Sequence, residues 1–266
     1  MRSVVVLPTY NECENLAPML DALLALDSLS AVVVVDDSSP DGTGDIAEER
    51  ARRCDRVHAV HRTERGLGSA YVCGFRHALN LQAEAIVAMD CDFSHNPADV
   101  PRLLARLPEC DIAVGSRYVA GGGTRGWPLR RKLLSRSANA FARRCVRLDI
   151  RDCTSGFRAY RASLIKQILQ DDMHSRGYSI QVELLARGVR QYGARVVEIP
   201  ILFDERKRGV SKIGSREVVL GLKALIRLRA RLAMSGPATS EPADDERKSE
   251  RDPGDTTPNT AGVARG

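Results

Sequence analysis

The sequence predicts one α/β domain built on a central, mostly parallel sheet flanked by helices. Short β-branched runs alternate along the chain with amphipathic segments of helical period. The runs are apolar almost throughout, as strands covered on both faces are. At 266 residues, 43% hydrophobic and 28% charged, the chain suits one large core better than two small ones.

Each element has a local reason. Val4–Leu7, Ala31–Val35, Arg56–His61, Ala85–Met89 and Asp111–Val114 read as strands, with helices at Glu14–Leu26, Thr43–Arg53, Leu67–Leu81 and Pro97–Leu107 between them. Asn11 or Asn15 is placed to start the first helix, and Asp41 or Thr43 the second. Gly121-Gly122-Gly123 opens a flexible stretch, Arg125–Arg147 continues as a basic helix, and Val196–Phe203 returns as a strand. Ser215–Met234 is a helix in which Val218, Val219, Leu222, Leu225, Ile226, Leu228 and Leu232 alternate with Lys223, Arg227, Arg229 and Arg231. It can lie on a membrane, meet a partner or pack on the domain. Residues 1–234 form the expected domain, and residues 235–266, rich in Pro, Ser, Thr, Asp and Glu, an expected disordered tail.

Composition narrows the class further. No apolar run approaches the roughly 20 residues that span a bilayer, and the opening run is too short for a signal-peptide core. Seven dispersed cysteines without a CxxC pair argue against a disulfide framework or zinc site and for a cytoplasmic protein. From residue 235 on, the chain carries seven acids and four bases, a net of −3 against +6 overall, so residues 1–234 carry +9. That balance favours anionic partners: phosphates, nucleic acid or an anionic membrane face.

Ligands of parallel sheets gather at the carboxyl ends of strands, so the polar residues just after each apolar run matter most. The first run ends in Pro8-Thr9-Tyr10-Asn11-Glu12, and the second in Asp36-Asp37-Ser38-Ser39-Pro40-Asp41-Gly42-Thr43. A cap does not need both Asp36 and Asp37, and a carboxylate there can bind a base or ribose. Ala85–Met89 runs into Asp90-Cys91-Asp92. Residues i and i+2 of an extended chain share a side, and two carboxylates so placed repel unless a cation or donors compensate. A hard divalent cation that also takes diphosphate oxygens meets that need. The nearby His95 reads as structural. No GxGxxG follows a strand, and no GxxxxGK[ST] or GxSxG occurs, which removes dinucleotide, P-loop and serine-hydrolase readings.

In their order, Pro8 to Glu12, Val35-Asp36-Asp37, Ser39 to Thr43 and Asp90-Cys91-Asp92 resemble the inverting family 2 glycosyltransferases of GT-A fold, a single Rossmann-like domain. Gly115-Ser116-Arg117-Tyr118, Cys153 to Arg158 and Arg206 to Lys212 sharpen the resemblance to dolichol-phosphate (polyprenol-phosphate) mannosyltransferases, over roughly residues 2 to 230. The resemblance implies that Pro8, Tyr10, Glu12, Val35 and Asp37 hold the nucleoside. It implies that Asp90, Cys91 and Asp92 surround a metal (Mg2+ or Mn2+), the diphosphate and the sugar, with Asp90 and Asp92 as ligands. Arg117, Arg206 and Lys212 address phosphates or sugar, and Asp90, Asp92 and Arg117 form the catalytic set. Cys91 stands where alanine is usual, and Ser94 where some members carry Gln.

Acceptor chemistry follows from what the late sequence offers. A hydroxyl acceptor needs a general base, whereas a phosphate monoester is already ionised and needs positive charge to position it. The sequence shows no late Glu-Asp pair suited to act as that base. It does show Arg125, Arg130, Arg131, Lys132, Arg136, Arg143 and Arg144 interleaved with Trp127, Leu129, Leu133, Leu134 and Phe141, a surface suited to an anionic lipid headgroup. Arg131 and Ser135 are the candidates for the acceptor phosphate. The expected reaction moves mannose from GDP-mannose to a polyprenyl phosphate. It runs at the cytoplasmic face of the membrane, reached directly or through a membrane-anchored partner subunit, with no nucleic acid involved. The rivals are transfer of glucose from UDP-glucose, a silent nucleotide-binding subunit, and a nucleic-acid binder, the last weakened by an aromatic content of only 5%.

Overall fold

The computed structural model describes residues 1–175, 177, 179–205 and 215–234. The elements run β1 Ser3–Thr9, α1 Cys13–Leu24, β2 Ala31–Asp36, α2 Thr43–Arg53, β3 Val57–His61, α3 Leu67–Asn80 and β4 Ala85–Ala88. A 3-10 turn at Pro97–Asp99 leads into α4 Val100–Leu104, then β5 Ile112–Ser116, β6 Gly123–Thr124 and α5 Leu129–Val146. The chain continues through β7 Arg158–Arg161, α6 Ala162–Ile168, α7 Ser179–Tyr192, β8 Val196–Pro200, β9 Leu202–Phe203 and α8 Ser215–Met234.

The main sheet has seven strands in the order β3-β2-β1-β4-β7-β5-β8, parallel except for β7, which runs against both β4 and β5. The apolar strands explain the two covered faces. Val4, Val6, Val33, Val35, Ile86 and Ala88 turn into one core with Tyr71, Phe75, Leu184 and Leu228. Val5, Leu7, Val32, Val34, Ala85 and Val87 turn into the other with Leu16, Leu20 and Leu103. Successive residues thus leave for opposite layers, and every residue of β2 is buried.

The parallel α/β reading holds, with differences of detail. Proline divides the expected helix at 97–107, because Pro97 and Pro101 have no N–H to give, leaving a 3-10 turn and one short α-helix. Helix α5 starts at Leu129 behind Pro128 rather than at Arg125. The expected strand at 196–203 breaks at Ile201, whose amide bonds Ser116 O; β8 then pairs with β5 and β9 with β6 in a separate two-stranded sheet. Neither Asn11 nor Asn15 caps α1; Glu12 stands at its N-cap and holds Asn15 by a side-chain bond of 2.8 Å. Nor does Asp41 or Thr43 stand at the N-cap of α2, which is Gly42 in the left-handed region (φ 88°); Asp41, one residue earlier, accepts from Thr43 N at 3.1 Å. Strand β7 and helices α6 and α7 have no counterpart in the sequence reading. Helix α8 packs against α5 and α7, with Leu225, Leu228 and Leu232 buried in the core. The tail from 235 on lies outside the described residues.

Helix α3 lies against the sheet at Gly74. A β-carbon there would stand 2.3 Å from Val6 Cγ1 and 3.0 Å from Val35 Cγ2. Gly74→Ala should therefore force α3 off the sheet and cost about 1–3 kcal/mol, as overpacking does. Thermal denaturation should show a midpoint lowered by roughly 3–10 °C; an unchanged midpoint would mean that the contact yields freely.

Candidate functional site

The strand order places the polar loops side by side. β1 lies between β2 and β4, so the winding reverses there, and the crevice of an open α/β sheet falls at that reversal. Along the carboxyl edge stand, in order, Asp36 and Asp37 at the end of β2, Pro8 to Glu12 around the end of β1, and Asp90 to His95 after β4. Because β7 is antiparallel, the turn that precedes it, with Gly156, lies at this same edge, Arg158 pairing with Ala88. Arg117 follows the end of β5.

The first two loops are stitched together by carboxylates. Asp36 is buried and accepts from Thr9 Oγ1 at 3.1 Å, Ser39 N at 2.9 Å and Ser39 Oγ at 2.5 Å. Asp41 accepts from Thr43 Oγ1 at 2.6 Å and Cys13 N at 3.1 Å, while Thr43 Oγ1 in turn receives Glu12 N at 2.9 Å. Burial raises the Asp41 carboxyl, but the bonds from Thr43 and Cys13 outweigh it and hold it at about 2. Asp37 is bonded by Arg62 at 2.6 Å and by Gly66 N at 2.8 Å. Burial pushes Asp37 above its ordinary value, with Gly66 and Arg62 pulling against it. The Arg65 guanidinium lies 4.4 Å over the Tyr10 ring. Val35 is a core residue with a fully buried side chain, so its backbone is all it offers a ligand.

Asp90 and Asp92 close this end of β4. Asp92 is buried and accepts from both the amide of Ser94, at 3.0 Å, and its hydroxyl. Asp90 takes a bond from Tyr71 OH at 3.4 Å and gives its N–H to His95 Nδ1 at 3.2 Å. His95 is buried and stacked on Phe157, with centroids 5.0 Å apart, and burial pushes its pKa below the ordinary value. His95 thus ties the Asp90 backbone to the core through its Nδ1. Cys91 is buried in the core beside Met89 and Leu103. Among the described residues no cluster of three His, Cys, Asp or Glu side chains is placed to hold a metal. Two carboxylates, one fixed by Ser94, fit a hard cation that completes its shell with water and ligand oxygens.

Non-glycine residues with positive φ mark these loops. Asn11 (φ 54°), Ser38 (φ 51°) and Phe93 (φ 59°) fall one in each loop after β1, β2 and β4. Backbone held in the left-handed region by its surroundings is typical of binding sites.

Arg117 is buried with both Nε and Nη2 on Asp152, each at 2.8 Å, and Nη2 also on Thr154 at 2.9 Å. Burial would raise Asp152 and lower Arg117; their mutual attraction reverses both shifts. Its Nη1 makes no hydrogen bond among the described residues, and its guanidinium packs near Tyr118, Trp127 and Phe203. Arg131 stacks on Trp127 at 4.1 Å and pairs with Glu205 at 3.1 Å. Ser135, one turn further along α5, shares a bond of 2.7 Å with Tyr118 OH. A continuous series of ring contacts, His95–Phe203 at 5.2 Å and Phe203–Trp127 at 5.3 Å, joins the Asp90 loop to α5. The outer part of α5 leaves Leu129, Leu133 and Leu134 71%, 56% and 58% exposed.

The structure thus brings Pro8, Tyr10, Glu12, Asp37, Asp90, Asp92 and Arg117 to one edge, with Arg131 and Ser135 connected to it through aromatic rings. Arg206 and Lys212 lie outside the described residues. The sequence reading passed over Arg62, Asp152, Phe203 and Gln181, whose neighbours come from distant segments. Asp36, which the sequence reading singled out with Asp37 at the end of four valines, is buried there.

Comparison with known proteins gives three consistent findings. The model of glycosyl transferase family 2 matches residues 4–169. An undecaprenyl-phosphate mannosyltransferase of Micrococcus luteus is 44% identical over 80% of this chain and 88% of its own length. A polyprenol monophosphomannose synthase of Mycolicibacterium smegmatis is 43% identical over 82% of this chain and 83% of its own. Among solved structures, glucosyl-3-phosphoglycerate synthase from Mycobacterium tuberculosis, in complex with Mn2+, UDP-glucose and phosphoglyceric acid, superposes with a TM-score of 0.62 at 19% identity. That likeness covers 90% of this chain and 81% of that one, and shows a shared fold.

Two outcomes test the geometry. Asp152→Ala leaves the Arg117 charge buried alone and should cost about 3–5 kcal/mol in denaturant unfolding, whereas replacing the pair by Met and Leu should recover most of that loss. The Asp41 carboxyl lies below its unfolded value, so its contribution is complete above about pH 4 and is lost as pH falls through about 2. The stability gap between wild type and Asp41→Asn should therefore hold steady above pH 4 and close below it; a gap independent of pH would contradict the Asp41 clamp.

Proposed function

Since the chain belongs to glycosyl transferase family 2 and is a glycosyltransferase, we propose that it transfers mannose from GDP-mannose to a polyprenyl phosphate, with inversion, at a membrane surface. The observation that carries this reading is the junction of two surfaces. A carboxylate pair at the switch point of the sheet stands next to a cationic, apolar-faced helix, the two linked through His95, Phe203 and Trp127. The names of the relatives at 43–44% identity support the mannosyl donor and the lipid phosphate acceptor.

Each residue then has a task. Tyr10, Glu12 and Asp37 hold the nucleoside with the backbones of Pro8 and Val35. Asp90 and Asp92 hold Mg2+ or Mn2+, Ser94 keeping the Asp92 carboxylate in one orientation. The bound cation supplies charge neutralisation for the departing diphosphate. Arg117, fixed by Asp152, offers its remaining Nη1 donor to an anion. Arg206 and Lys212 supply further positive charge to the phosphates. The acceptor phosphate, positioned by Arg131 and Ser135, arrives ionised, and its oxygen attacks the anomeric carbon opposite the leaving group without surrendering a proton.

Leu129, Leu133, Leu134 and Phe141 dip into the lipid boundary while Arg130, Lys132 and Arg136 meet anionic headgroups. Among the described residues no helix is long and apolar enough to cross a membrane. In this reading the protein works at the cytoplasmic face of the membrane, on its own or with a membrane-anchored partner.

Labelled GDP-mannose, UDP-glucose and other nucleotide sugars, each supplied with polyprenyl phosphate, test the donor; product from GDP-mannose is expected. Asp90→Ala should remove product formation while leaving the unfolding transition intact, and chelation by EDTA should do the same reversibly. Activity persisting in either case would sink the metal site. Leu133→Glu with Leu134→Glu should weaken sedimentation with anionic vesicles by about tenfold.

A further inference from the structure

Gln181 is the third residue of α7 and only 2% exposed, yet neither its Nε2 nor its Oε1 has a hydrogen-bond partner among the described residues. Leaving a whole buried amide unbonded is costly, and native structures seldom do so without a ligand or water to complete it. The backbone at this position is held in place. The Gln181 carbonyl receives a bond from Nη1 of Arg158, a fully buried residue whose Nη2 binds Cys153 O at 2.7 Å.

The amide reaches the site just described. A β-carbon built on Gly156 would stand 3.7 Å from His95 Cε1, 3.8 Å from Gln181 Nε2 and 3.9 Å from Asp90 Oδ1. Asp90 and His95 from the loop after β4 and Gln181 from α7 thus converge around the one small space beside Gly156, in the turn before β7.

The strand order says which part of a ligand falls there. A nucleotide sugar is linear: base and ribose, diphosphate, then hexose. With the nucleoside at the ends of β2 and β1 and the diphosphate at Asp90 and Asp92 after β4, the next position along the edge is the turn before β7. A neutral amide with two donors and an acceptor suits sugar hydroxyls better than it suits phosphate or a cation.

We propose that Gln181 is a sugar-recognition residue, its carboxamide donating to and accepting from hydroxyls of the hexose carried by the nucleotide sugar. The inference rests on the nucleotide-sugar reading above and adds a residue and a function to it. Being an amide, Gln181 takes no proton from an acceptor, which agrees with an acceptor that arrives ionised.

The test compares wild type with Gln181→Leu and Gln181→Ala in the full chain with Mn2+. Titration calorimetry measures binding of GDP, GDP-mannose, UDP and UDP-glucose, and steady-state transfer to polyprenyl phosphate gives kcat/KM. Both variants should bind the free nucleoside diphosphate as wild type does. They should lose about tenfold or more in affinity for its hexose-bearing form or in kcat/KM, because a site built for a hydroxyl is left incomplete. Gln181→Leu should also keep or raise the melting midpoint, since it removes an unbonded buried amide. Unchanged affinity and turnover in both variants, or equal losses for diphosphate and nucleotide sugar, would overturn the proposal. A wild-type protein that transfers no sugar from any donor would instead overturn the parent reading, and the binding comparison would still decide the role of Gln181.

Discussion

Carboxylates buried at the ends of apolar strands hold the working face together. Asp36, Asp37, Asp92 and Asp152 each lie below the surface, and each accepts hydrogen bonds from donors in or around its loop. A buried charge without such donors would destabilise the fold severely. The requirement therefore runs outward: Asp36 fixes Thr9 and Ser39, Asp37 fixes Arg62 and Gly66, and Asp152 fixes Arg117. Loops that could wander are held to hydrogen-bond precision because the sheet beneath them has no polar atoms of its own to spare.

The sheet makes that arrangement possible. Its residues alternate between two cores, so the polar side chains that meet a ligand can appear only where the strands stop. The reversal of winding between β1 and β4 opens the crevice, and the antiparallel β7 brings a turn to an edge otherwise made by parallel strands. Backbone strain at Asn11, Ser38 and Phe93 collects in the same three loops, where the surrounding bonds can sustain it. On the far side of the crevice, Arg117, Trp127 and Phe203 turn the edge into a wall that leads to the cationic helix α5.

Much of this was legible from residue order. The runs of valine gave their strands, and the paired acids after the second and fourth runs gave the edge of the site. The division of labour between Asp36 and Asp37 was not legible, because the two are chemically identical and differ only in which neighbours meet them: Thr9 and Ser39 for one, Arg62 and Gly66 for the other. Arg117 read as a free phosphate-binding cation, yet two of its three nitrogens are engaged on Asp152 and Thr154, 35 and 37 residues away. Strand β7 has four residues with arginine at each end, and the apolar pair Ala159–Tyr160 is too short to announce a strand.

The sequence by itself determined the alternating α/β architecture, the carboxylate pair at 90 and 92, and the ordered motifs of a family 2 glycosyltransferase. Those properties depend on local spacing: period 2 or 3.6 in the apolar residues, and i, i+2 geometry in an extended chain. Tertiary structure alone decided that β7 runs antiparallel, that α8 packs on α5 and α7, and that Gln181, His95 and Asp90 gather around Gly156. These depend on which distant segments share a buried space. A carboxylate or an amide takes its role from the partners that folding supplies, and residue order does not specify them.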